Sequence, residues 1–141
     1  SQLDPLIRLS RERCIEFARG AVEVRYSSDG NNPDDGFSAF GLIDYVYTKT
    51  GFEPKVETIA ELREKFGSKI NVSLDGVLPG DLLFFRLYSK KKKKSTLMAA
   101  ICVDKKEMIY SSFTRKKVIA RTYDLSFWRK NFEGANRVFV K

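Results

Sequence analysis

The chain has 141 residues, 43% of them hydrophobic and 31% charged, with no histidine, two cysteines and a formal net charge of +8. These values predict one folded domain over residues 1–141 and exclude wholesale disorder. No apolar run is long enough to span a bilayer, the first ten residues lack a signal-type apolar stretch, and the positive balance favours anionic partners.

Asp4-Pro5 is a helix start, and Leu6, Ile7, Cys14, Ile15, Phe17 and Ala18 recur at helical spacing up to Gly20. Residues 26–36 are polar and rich in turn formers, so a loop is expected. A second helix is expected over 37–50, with Gly51 as its stop. Thr58 and Glu61 match a capping box that opens a short third helix, closed by Gly67. After Pro79-Gly80-Asp81 the period changes, and strands are predicted at 82–87, 97–103, 108–112 and 117–122. A helical turn around Trp128 and a closing strand at 137–140 complete the pattern. Helices first and antiparallel strands after make an α+β fold.

Both cysteines sit in apolar stretches and read as buried small hydrophobes, with no metal-like partner spacing. The absence of histidine removes the commonest general base and the commonest zinc ligand. No cofactor or metal is expected. Lys90, Lys91, Lys92, Lys93 and Lys94 form one unbroken run between two strands, whose ordinary reading is a solvated hairpin tip. Its functional reading is a loop that steers anionic material.

Three strings make the pattern more specific. Gly36-Phe37-Ser38-Ala39-Phe40-Gly41-Leu42-Ile43 resembles the Gly-Phe-Asp-Cys-Ser-Gly-Leu-Val motif of the NlpC family of papain-like cell-wall peptidases. Leu78-Pro79-Gly80-Asp81-Leu82-Leu83-Phe84-Phe85 resembles that family's entry into its first core strand. Met98-Ala99-Ala100-Ile101-Cys102 and Ile109-Tyr110-Ser111-Ser112 stand where the family has His-Val-Gly-Ile-Tyr and Ile-His-Ala-Ser. Tyr26 falls near the tyrosine of the family's Pro-Tyr loop, whose glycines are unmatched here. The similarity runs from about residue 6 to residue 139 and implies N-terminal helices packed on a central antiparallel sheet.

In active relatives a Cys thiolate at a helix start, a His that takes its proton and a polar residue that orients that His carry the chemistry. Carried over, these positions are Ala39, Met98 and Tyr110, and the residues flanking the nucleophile are Ser38 and Phe40. A laboratory substitution could account for Ala39 alone, but not for all five. Losing nucleophile and base together removes roughly a millionfold of rate in a comparable triad enzyme. The resemblance therefore implies an inactive domain whose former cleft, lined by Tyr26, Ser38, Ala39, Phe40, Met98 and Tyr110, binds peptidoglycan fragments, other anionic envelope polymers or a protein partner. It also implies a periplasmic, secreted or envelope-associated location. The alternatives are an interaction subunit with a filled cleft and, further off, a basic nucleic-acid binder. Ser38 reads as an N-cap, and Asp34 and Asp35 read as turn residues.

Overall fold

The structure is a computed structural model that describes residues 4–140. Residues 1–3 and 141, the ends of the expected domain, lie outside it.

Helix α1 (Pro5–Gly20) begins as predicted: Pro5 has no N–H to lose, and the Asp4 carboxylate accepts from the Leu6 N–H at 2.8 Å. Such a cap contributes about 1 kcal/mol. The 26–36 segment is more ordered than a plain loop, because β1 (Asn31–Asn32) pairs antiparallel with β2 (Gly36–Phe37). Phe37 donates its N–H to Arg25 and accepts from Ser27, which commits it to extended pairing. The second helix, α2 (Ala39–Lys49), therefore starts two residues later than predicted, with Ser38 as its N-cap. Helix α3 (Ile59–Lys65) carries the expected box. Glu61 donates its N–H to Thr58 Oγ1 at 3.1 Å, and its carboxylate accepts from the Glu57 N–H at 3.0 Å.

Strands β3 (Ser68–Ile70), β4 (Leu82–Ser89), β5 (Lys94–Asp104), β6 (Glu107–Ser112), β7 (Lys117–Thr122) and β8 (Phe132–Arg137) form a six-stranded sheet in the order β3-β8-β4-β5-β6-β7. Every neighbouring pair is antiparallel. Helix α4 (Ser126–Asn131) leads straight into β8. The short β3 carries too few residues to show a period, and the sequence reading missed it.

The closing strand is displaced from its predicted place. It runs over Phe132–Arg137 rather than 137–140, and Val138 and Phe139 are buried beyond its end. Phe139 stacks on Tyr47 (5.8 Å between ring centres) and meets Phe52 edge-on (5.0 Å). Their apolarity reports burial under the helices. The strand itself is built from Gly134, Ala135 and Asn136, paired to Phe84, Leu83 and Leu82.

The sheet separates two apolar layers. Leu82, Phe84, Ala99, Ile101, Val103, Ile109 and Val118 face α1, α2 and α3, whereas Leu83, Phe85, Ala100, Cys102, Met108 and Tyr110 face Trp128 of α4. Burial on both faces explains why residues 82–85 read as an unbroken apolar run.

Candidate functional site

The start of α2 is fastened from several sides. The Ser38 hydroxyl accepts from the Gly41 N–H at 2.8 Å, so it is engaged as a cap, as its sequence position suggested. A Cβ at Gly41 would overlap the carbonyl oxygen of Gly30, so only glycine lets that loop approach the helix. The carbonyl of Phe37 accepts from Ser111 Oγ of β6 at 2.7 Å, which pins the helix start to the sheet one residue beyond Tyr110. Ala39, half-buried, opens the helix, and Phe40 packs against the helical-side core.

Met98 and Tyr110 come together on the sheet's other layer, with Phe85 and Trp128. The Trp128 ring lies 4.9 Å from Phe85 and 6.0 Å from Tyr110. The guanidinium of Arg121 sits 5.4 Å from the Trp128 ring and makes a long 3.4 Å contact to the Tyr110 hydroxyl. Its buried Nε has no partner among the described residues. The sequence reading passed over Arg121. Alternation along β7 could have found it, since Ile119 and Arg121 share a face.

Of the six residues expected to line a cleft, Phe40 packs with the helical-side cluster and Met98 and Tyr110 with the opposite one. Tyr26, Ser38, Ala39 and Phe40 belong to the α2 entrance, where Tyr26 bridges to Phe37 and donates its N–H to the Lys116 carbonyl. The Ser111–Phe37 bond is one of several contacts that tie the start of α2 to β6.

Lys90, Lys91, Lys92 and Lys93 form the exposed turn between β4 and β5, while Lys94 is already the first residue of β5. This tip lies beside the β6–β7 turn: the Lys92 ammonium is 6.0 Å from the Phe113 ring, and Phe113 meets Tyr26 edge-on at 5.5 Å.

Other chemical groups are accounted for by structure. Cys14 and Cys102 are free and buried, and desolvation pushes each thiol up to about 12. Asp35 accepts from Asn32 Nδ2 at 2.9 Å within its turn, and Asp34 is an exposed residue of that turn. Burial, with a smaller contribution from Glu53, raises the Asp44 carboxyl above the ordinary range. A recess of about 360 Å³ is bordered by Arg63, Glu64, Lys69 and Glu133 beside β8. There Arg63 and Arg86 hold Glu133 below the usual carboxylate range. Among the described residues no group of three or more His, Cys, Asp or Glu could hold a metal ion. No described helix is long and apolar enough to cross a membrane.

The model of the NlpC/P60 family matches residues 23–137. The gamma-DL-glutamyl hydrolase of Bacillus subtilis (strain 168) is 24% identical over 131 residues, covering 92% of this chain and 30% of that protein. A solved NLP/P60-family protein from Staphylococcus aureus superposes with a TM-score of 0.75 at 19% identity, covering 100% of this chain and 44% of its own. The peptidoglycan hydrolase RipB of Mycobacterium tuberculosis gives 0.70 at 18%, covering 96% and 67%. This chain therefore spans about a third of the hydrolase and under half of the staphylococcal protein. The α+β order, the six-stranded antiparallel sheet and the extent of the family match agree: this chain belongs to the NlpC/P60 family.

Proposed function

We propose that the chain is a catalytically inactive NlpC/P60 domain that binds a γ-glutamyl or related cell-wall peptide in the bacterial envelope without cutting it. The carrying observation is chemical. The positions matched to nucleophile, base and orienting residue are Ala39, Met98 and Tyr110, and the chain contains no histidine. Neither thiol can replace the missing nucleophile, since burial pushes both up to about 12. Ser38, next to Ala39 in the sequence, has its hydroxyl engaged as acceptor of the cap bond from Gly41. The names of the relatives, a gamma-DL-glutamyl hydrolase and a peptidoglycan hydrolase, support a γ-glutamyl or peptidoglycan peptide as the ligand class. A periplasmic, secreted or envelope-associated location follows from the same family reading.

A second reading has its own support. Tyr110 is only 9% exposed and packs on Trp128, which favours a filled cleft in a domain that binds a protein partner. One experiment separates the readings. The purified chain is incubated with muropeptides and with poly-γ-glutamate, while release of new amines is followed by mass spectrometry and binding by calorimetry. The expected result is binding of a muropeptide or a γ-glutamyl chain with no turnover, and Ala39→Cys alone stays inactive. Turnover that is lost in Ser38→Ala or Asp35→Asn would overturn the inactive assignment. Absence of both binding and turnover would transfer the case to the protein-partner reading.

A further inference from the structure

The net charge of +8 is unevenly placed. The described ion pairs draw on Arg19, Arg63, Lys69, Arg86, Lys106, Arg129 and Arg137, and on Lys117, which adjoins the β6–β7 turn and pairs with Glu23. None of these pairs uses Lys90, Lys91, Lys92, Lys93, Lys94, Arg115 or Lys116; other cations such as Arg25, Lys65 and Lys105 are likewise absent from the described ion pairs, but these seven stand together. All seven lie on two hairpin ends, the β4–β5 turn and the β6–β7 turn.

Only the fold makes these ends one surface. The Phe113 ring, 59% exposed, holds the Lys116 ammonium at 4.5 Å and the Lys92 ammonium at 6.0 Å. Tyr26 supports the ring edge-on at 5.5 Å. Tyr88, 63% exposed, lies two residues before the lysine run. Two aromatic rings are therefore presented among seven neighbouring cations. The recess beside β8 is lined by none of the seven, and a second recess, of about 320 Å³, is reached among them only by Arg115.

We propose that these paired hairpin ends are a docking surface for an anionic lipid bilayer. Clusters of four to eight basic side chains bind anionic headgroups, each adding to affinity while the surface lies within a Debye length. Exposed aromatic rings add a contribution that salt does not screen, by settling among headgroups. Projecting tips suit a flat surface, whereas a polymer chain is better held by a groove. The proposal is independent of the state of the Ala39, Met98 and Tyr110 positions, and it would stand if the chain proved active.

The test is co-sedimentation with phosphatidylcholine vesicles, with and without about 30 mol% phosphatidylglycerol, at about 50 mM and about 500 mM salt. Three proteins are compared with the parent: Lys91→Ser/Lys92→Ser/Lys94→Ser, a charge-matched control Lys65→Ser/Lys105→Ser/Lys130→Ser, and Phe113→Ser. Melting curves verify that each is folded. Binding is expected only to the anionic vesicles and mainly at low salt. The loop variant should bind roughly a hundredfold more weakly, the control within about threefold of the parent, and Phe113→Ser should lose the fraction retained at high salt. Equal weakening of loop variant and control, or no binding to the anionic vesicles, would overturn the proposal. So would tighter binding to soluble polyphosphate that is unaffected by Phe113→Ser, which would identify a polymer site.

Discussion

Asp81 and Tyr110 are both nearly buried polar side chains, 2% and 9% exposed, yet their surroundings differ sharply. The Asp81 carboxylate accepts from the Leu78 N–H at 2.8 Å and from Arg137 Nε and Nη2 at 2.9 and 2.8 Å. Around it, Gly80 donates its N–H to the Cys102 carbonyl at 2.7 Å and accepts from the buried Tyr47 hydroxyl at 2.8 Å. Gly80 has φ +94°, and a Cβ there would lie 2.8 Å from Arg11 Cγ and Phe139 Cδ2. The Tyr110 corner, by contrast, has one long contact from an arginine whose Nε is unpartnered. The Pro-Gly-Asp string is thus a folding device that joins a turn, a helix and two strands. Its presence reports that the fold needs it, and says nothing about catalysis. Tyr110 holds its place by packing, with far fewer polar contacts than Asp81.

The largest test of that contrast is Asp81→Ala. It would leave Arg137 and the Leu78 N–H without their partner and should cost about 3–5 kcal/mol in urea unfolding. A loss below about 1 kcal/mol would mean that water already serves this corner, and the contrast would collapse. At the other corner, Tyr110→Phe removes only the 3.4 Å contact and should change stability by at most about 0.5 kcal/mol. A larger loss would show that the Arg121–Trp128 arrangement depends on that hydroxyl.

Cys102 sharpens the comparison because it touches both regions. Its backbone is bonded to Gly80 and Asp81, and its side chain lies on the layer of Tyr110. With both thiols pushed up to about 12, mainly by desolvation, the thiolate fraction at pH 8 is about one in ten thousand. Iodoacetamide should leave the native chain unlabelled and modify both cysteines in urea. The sign for stability follows: the contribution of the buried neutral thiols is fully present below the ordinary thiol range and is lost as pH rises from there towards about 12. Labelling of Cys102 alone under native conditions would mark local opening of the Asp81–Tyr110 region.

Much of the fold was legible because its signals are local. Asp4-Pro5, Ser38 and the Thr58–Glu61 pair are caps whose partners lie within a few residues, and the strands from residue 82 to 122 show through apolar runs and alternation. The misses are positions where a distant contact overrode local pattern. Phe37 was drawn into β2 by bonds to Arg25 and Ser27. The final strand formed on Gly134 and Ala135, because small residues fit beside Leu83 and Phe84, while the more apolar Val138 and Phe139 were buried under the helices. At the candidate site the residue types at Ala39, Met98 and Tyr110 were readable, but the placement of Arg121 over Trp128, with its Nε unpartnered among the described residues, was not.

The sequence by itself determined the layer order, the family pattern and the lack of a histidine base, since each depends on residue type and short spacing. Only the tertiary structure decided which polar groups are satisfied and that two basic turns meet around Phe113. Those properties arise from side chains far apart in the chain, and the pairing of β5 with β6 sets the two hairpins side by side.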